Sequence, residues 1–257
     1  MSNISKAFAN GKAFIPFITC GDPDTDTTYR AVLEAVAKGA DLIELGIPFS
    51  DPTAEGPVIQ SANVRALSGG ITTDDVFALV EKLREDVTIP LVFMTYANVV
   101  FSYGPDRFMQ RCAGVGIDGI IIPDIPYEEK EEFEPYCKAC GVDLISMIAP
   151  TSEGRIKEIA SQASGFIYLV SSLGVTGERT SFASGLEEIV NTIREVTDVP
   201  CAIGFGISNP DQAKAMADIS DGAIVGSAII KILASDGRDA PEKIGEFVKS
   251  MKDAIRA

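Results

Sequence analysis

Eight short β-branched runs, most of them followed by a longer amphipathic stretch, constrain this chain more than any other feature. The runs are AFIPFIT (13–19), DLIELGIP (41–48), IPLVFMTY (89–96), DGIIIPDIP (118–126), VDLISMIAP (142–150), GFIYLVS (165–171), PCAIGFGI (200–207) and DGAIVGSAI (221–229). Helix-like segments lie between and after them, among them DTDTTYRAVLEAVAKG (24–39), TTDDVFALVEKLRED (72–86) and PEKIGEFVKSMKDAI (241–255). Nearly continuous apolar runs mark parallel strands buried on both faces, and the alternation supplies helices to cover them. Eight such units in 257 residues predict a closed (β/α)8 TIM barrel, which usually needs about 250 residues. An open doubly wound sheet is the alternative, and the lack of a dinucleotide fingerprint counts against it. No linker or low-complexity tract divides the chain, so residues 1–257 read as one domain. The opening NISKAFANG (3–11) predicts a short helix capping the bottom of the barrel.

Composition narrows the chemistry. The 37 acidic residues against 22 basic ones give a net charge of −15, a surface that repels nucleic acid and anionic membranes. No apolar run approaches the roughly 20 residues of a bilayer span, and the start lacks a signal-peptide pattern, so a cytoplasmic location is expected. The five cysteines are scattered, which predicts free thiols. Cys137 and Cys140 have CxxC spacing, but no second pair completes a metal site and no metal is expected. With no histidine, Ser-His-Asp and Cys-His catalysis are excluded, and acid–base work falls to carboxylates, tyrosine, lysine or cysteine.

One carboxylate then stands out. Glu44 lies inside the second apolar run, between Ile43 and Leu45, where burial is costly unless the group is paired or used. Runs one to seven contain no basic residue, so a structural partner would have to come from a loop. A carboxyl in apolar surroundings acquires a raised pKa and can carry a proton near neutral pH. Barrel chemistry gathers at the C-terminal ends of strands and in the loops after them. That addresses Asp51 and Glu55 to the loop after the second strand, Tyr96 to the end of the third and Asp124 to the end of the fourth. Glycine-rich turns, IGFGIS (203–208) and VGSA (225–228), follow strands seven and eight, the customary phosphate site of such barrels. GVTGER (174–179) follows strand six but lacks the P-loop pattern. Main-chain N–H groups can hold phosphate there against the acidic field of the whole chain.

At ELGIPFSDP (44–52) the sequence resembles the tryptophan synthase α subunit family. The resemblance continues in order through FITCGDP (17–23), MTYANVV (94–100), PDIP (123–126), YLVSSLGVTG (168–177), IGFGIS and DGAIVGSAI, so it covers essentially the whole chain. It implies a cofactor-free lyase that cleaves indole-3-glycerol phosphate to indole and glyceraldehyde 3-phosphate. Glu44 would then protonate indole C3. The second family carboxylate, usually an aspartate, falls on Glu55, a departure that lengthens the side chain by roughly 1.5 Å. Gly177, Gly206, Gly226 and Ser227 would hold the phosphate. Phe17, Tyr96, Ile121, Tyr168 and Phe205 would line the indole pocket, with Asp124 in the same substrate-binding set. Thr176 would act with Asp51 to close the site. The implied partner is a pyridoxal-phosphate-dependent β subunit in an αββα heterotetramer, the pyridoxal phosphate belonging to that partner. The same motifs would serve a stand-alone lyase or a weakly catalytic activator of the β subunit, and they do not separate these cases.

Overall fold

The computed structural model describes residues 3–171, 179–204 and 206–256. Strands β1 (Ala13–Thr19), β2 (Ile43–Gly46), β3 (Leu91–Met94) and β4 (Gly119–Ile121) come first, then β5 (Asp143–Leu144), β6 (Ser146–Ile148), β7 (Ile167–Val170), β8 (Cys201–Gly204) and β9 (Gly222–Val225). All pair in parallel, in the order β5-β4-β3-β2-β1-β9-β8-β7-β6. The two ends of that order are one predicted strand interrupted at Ile145. Its first half pairs with β4, its second with β7, and the Ile145 N–H still donates to the Ile120 carbonyl at 2.9 Å. The sheet is therefore an eight-fold barrel with a seam in its fifth strand.

Helices cover the outside: α1 (Thr25–Ala37), α2 (Pro57–Ser68), α3 (Thr73–Leu83), α4 (Ala97–Tyr103), α5 (Pro105–Val115), α6 (Glu134–Cys140), α7 (Glu153–Ser161), α8 (Arg179–Arg194), α9 (Pro210–Ile219), α10 (Ser227–Asp236) and α11 (Ala240–Arg256). Local chemistry sets their ends. Asp24 caps α1 by accepting from the Thr27 N–H, and Thr72 with Asp75 forms a capping box on α3. Helix α10 starts at Ser227, inside the eighth predicted run, and most of it falls, with α2, α4 and α5, in stretches the sequence reading leaves unassigned. Gly104-Pro105 looks like a breaker there, yet Gly104 at φ 93° ends α4 and Pro105 opens α5 at its first position. None of the described helices is long and apolar enough to cross a membrane.

The expected N-terminal cap is a 3-10 turn, Asn3–Phe8. Ile4 is fully buried and lies so close to Gly119 that a Cβ there would approach its Cδ1 to 2.9 Å. Since Gly119 starts β4, the turn closes the end of the barrel away from the strand C-termini.

That same end carries one device three times. Asp41 accepts from the Phe14 N–H (2.7 Å) and from Lys252 Nζ (2.6 Å). Asp118 accepts from the Leu91 N–H (2.8 Å) and from Arg84 (2.7 Å), and Asp221 from the Cys201 N–H (2.9 Å) and from Arg194 (3.3 Å). Each aspartate precedes one strand, satisfies the start of its neighbour, and takes a cation from a covering helix or its end. Lys252 is 3% exposed, so its ammonium group has the Asp41 carboxylate and the Lys12 carbonyl as partners in place of water. Asp41→Ala strands that charge and should destabilise the fold by about 3–5 kcal/mol. Urea unfolding checks this, and a loss below about 1 kcal/mol would show that the Lys252 bond to the Lys12 carbonyl suffices.

Candidate active site

β1 and β2 are in register with Phe17 opposite Glu44. Both side chains line a narrow cavity of about 90 Å³ at the C-terminal end of the barrel, with Glu55, Tyr168, Gly206, Gly226 and Ser227 on its other walls. Strand register, the loop after β2 and the two glycine turns thus meet at one place. A second cavity of about 550 Å³ adjoins it through the shared walls Ala54, Met94 and Tyr168, and adds apolar lining from Pro123, Ile125 and Met147. The pair offers a small chamber holding both carboxylates beside a larger one of ligand size. A third, of about 440 Å³, lies between α6 and the seam of the fifth strand, away from both carboxylates.

Glu44 is 1% exposed, and its Oε2 has no hydrogen-bond partner among the described residues. Burial, with a smaller contribution from the nearby Glu55 charge, pushes its carboxyl up to about 8. Glu55 is pushed up to about 7 by burial, against the opposing effect of a hydrogen bond from Asn63 (2.7 Å to Oε2). The two carboxylates share a cavity but not an environment, and that separates an acid from a base. Tyr168 is also buried, its hydroxyl held well above its usual range by burial and the Glu44 charge, so it stays protonated.

Two glycines make room for the rings. A Cβ at Gly46 would lie 2.6 Å from Phe17 Cζ, and one at Gly204 would lie 2.4 Å from the Tyr168 hydroxyl. Neither position tolerates a side chain without moving a cavity wall. Elsewhere on the cavity wall Gly206 has φ 75°, and α10 begins at Ser227 with no side-chain cap. Gly226 and Ser227, at the start of this helix, line the cavity, and an uncapped helix N-terminus suits an anion.

Not every expected residue lines these cavities. Tyr96 is buried, but its hydroxyl accepts from the Ala54 N–H at 3.1 Å and its ring stacks on Phe49, so it braces the loop that carries Glu55. Ile121 is buried in β4 and lines neither cavity. Asp124 is exposed and accepts from the Ala97 N–H (3.0 Å) at the start of α4. Asp51 is exposed and accepts from the neighbouring Ser50 hydroxyl. Thr176, Gly177 and Phe205 lie outside the described residues. Sequence reasoning missed Met94, Ile59 and Asn63. Asn63 left a readable signal: it interrupts the alanine stripe of α2 between Ala62 and Ala66, on the buried face.

The chain is similar to known proteins along its whole length. The model of the tryptophan synthase alpha chain family matches residues 4–256. A tryptophan synthase alpha chain of Lacticaseibacillus casei is 49% identical over 257 residues, covering 100% of this chain and 97% of its own length. Among solved structures, tryptophan synthase subunit alpha of Legionella pneumophila superposes with a TM-score of 0.90 at 35% identity, covering 100% of this chain and 99% of that one. A chain of the tryptophan synthase a2b2 complex of Pyrococcus furiosus superposes at 0.86 and 32%, covering 95% and 99%.

Proposed function

Because this chain belongs to the tryptophan synthase alpha chain family, we propose that it cleaves indole-3-glycerol phosphate to indole and glyceraldehyde 3-phosphate. The observation that carries the reading is the pair of cavity carboxylates with raised and unequal proton affinities, Glu44 and Glu55.

The products dictate the proton movements. Indole leaves with a hydrogen on C3 where carbon was attached, and the glycerol hydroxyl beside the broken bond becomes an aldehyde. Glu44, protonated at neutral pH, gives its proton to C3 while Glu55 accepts the indole N–H proton. The hydroxyl proton then passes to the ionised Glu44, the C–C bond breaks, and its electron pair returns to the ring as nitrogen regains its proton from Glu55. Both carboxyls end as they began. Tyr168 and Phe17 confine the ring system, and the adjoining apolar cavity gives it room. No histidine is needed, in keeping with a chain that has none.

Phosphate recognition falls to the turns after β8 and β9. Gly206→Val, placed at φ 75°, drives the loop out of its left-handed conformation and blocks close approach. Glycerol 3-phosphate affinity should fall at least about tenfold, while Glu44→Gln leaves it near wild type. Titration calorimetry checks this, and unchanged affinity in folded Gly206→Val would put the phosphate elsewhere.

The Pyrococcus furiosus neighbour belongs to an a2b2 complex, which supports a β-subunit partner and an αββα assembly here. Pyridoxal phosphate would be held by that partner, the assembly working in the cytoplasm. Indole release from indole-3-glycerol phosphate, with and without a β subunit, tests the whole reading. No release in either condition removes it.

A further inference from the structure

Three hydrogen bonds fix the loop that carries Glu55. The Ala54 N–H donates to the Tyr96 hydroxyl at 3.1 Å, Gln60 Nε2 donates to the Glu55 carbonyl at 2.8 Å, and Asn63 Nδ2 donates to Glu55 Oε2 at 2.7 Å. Only the last touches the carboxylate. Asn63 is 3% exposed, and it stands one helical turn after Ile59, which lines the cavity. The buried face of α2 is otherwise small and apolar, with Ala62 and Ala66 beside Asn63. An amide placed there needs a partner, and the one it has is a carboxylate oxygen of the cavity wall.

From this geometry we infer that Asn63 is a positioning residue for the proposed cleavage, anchoring one oxygen of Glu55 to α2 and so aiming its carboxylate across the cavity. Gln60 assists by holding the backbone of the same residue. The arrangement is matched to the length of a glutamate. Its carboxylate reaches back far enough to meet the second turn of α2, whereas an aspartate at the same Cα ends roughly 1.5 Å shorter. The amide also favours the ionised carboxylate, the form that accepts a proton. One contact therefore acts on both the position of the carboxylate and its charge state. The inference rests on the reading of Glu55 as the acceptor of the indole N–H proton.

Steady-state cleavage as a function of pH tests it, using wild type, Asn63→Leu, Glu55→Asp and the variant carrying both changes, at saturating β subunit. Leucine keeps the branched outline of asparagine, with bulkier ends, and removes the donor; if Asn63→Leu does not fold, Asn63→Ala makes the same comparison. In the wild-type background the loss of aim should lower kcat about tenfold with KM within about twofold. The acid limb of the rate profile should move to higher pH, because the ionised form loses its donor. In the Glu55→Asp background the same change should cost less than about twofold, since that carboxylate no longer reaches the amide. An equal cost in both backgrounds, or an unmoved acid limb, shows Asn63 to be packing alone. The underlying reading fails separately and visibly, through a Glu55→Ala variant that cleaves at the wild-type rate.

Discussion

Glu44→Gln is expected to lower the rate of indole release a hundredfold or more, within the usual range of about 10² to 10⁴ for a positioned acid–base group. Glutamine keeps the shape and loses the proton, and no other described side chain in the small cavity can replace it: Tyr168 holds its proton too tightly, and Glu55 has the proposed task of serving the ring nitrogen. Binding of glycerol 3-phosphate should survive, because the proposed phosphate contacts come from the turns after β8 and β9 and not from Glu44. The wild-type profile of kcat/KM should rise as pH passes about 7, where Glu55 ionises, and fall beyond about 8, where Glu44 loses its proton. Since the two charges interact, both limbs belong to the pair.

Stability gives an independent measurement of the same group. The folded protein holds the Glu44 proton up to about 8, against an ordinary 4.5. Between those values the native state binds more protons than the unfolded chain, so stability falls as pH rises through the window. Glu44→Gln removes that loss and should raise the urea midpoint more at alkaline pH than at acid pH. A variant that is slower but gains no stability at alkaline pH would mean that Glu44 is not held protonated by burial. Near-wild-type turnover would remove its catalytic role altogether.

How much of this was legible in the sequence depends on what each signal reports. Apolar runs and helical periodicity report burial, and they were enough for the barrel and its strands. The seam at Ile145 was not readable, because the run is equally apolar on both sides of the break. Burial on both faces also hides which residues of a strand point inward. Ile121 and Met94 sit opposite each other in β4 and β3, and only Met94 lines the cavities. Glu44 was legible for the converse reason: a lone carboxylate in an apolar run has few structural explanations. The state of Glu55 depends on an amide eight residues away, brought to it by the turn into α2, a contact that no local pattern encodes. Tyr96 and Asp124 were placed correctly at strand ends, but the contacts they make there brace the Glu55 loop and α4.

By the resemblance, Glu55 stands where the family usually carries an aspartate, and its contacts offer a reason why the longer side chain could do the proposed work. Its Cα sits in a loop anchored on both sides, by Tyr96 through Ala54 and by Gln60 through the Glu55 carbonyl, so the backbone cannot slide to adjust the reach. The adjustment is made by Asn63, which draws the carboxylate toward α2. Removing the carboxylate in Glu55→Ala should therefore lower cleavage a hundredfold or more, since the indole N–H proton loses its acceptor while Glu44 is untouched. Activation of the β subunit should persist, because the anchored loop backbone is unchanged. Glu55→Asp keeps an acceptor but ends roughly 1.5 Å short and loses the amide, which should cost on the order of tenfold. Steady-state cleavage by the three proteins at saturating β subunit decides the matter. Wild-type speed in Glu55→Ala would leave Glu55 a spectator and require another group to take the ring proton. The two other acceptors the sequence offered are exposed and already bonded elsewhere, Asp51 to Ser50 and Asp124 to Ala97, which is why the larger loss is expected.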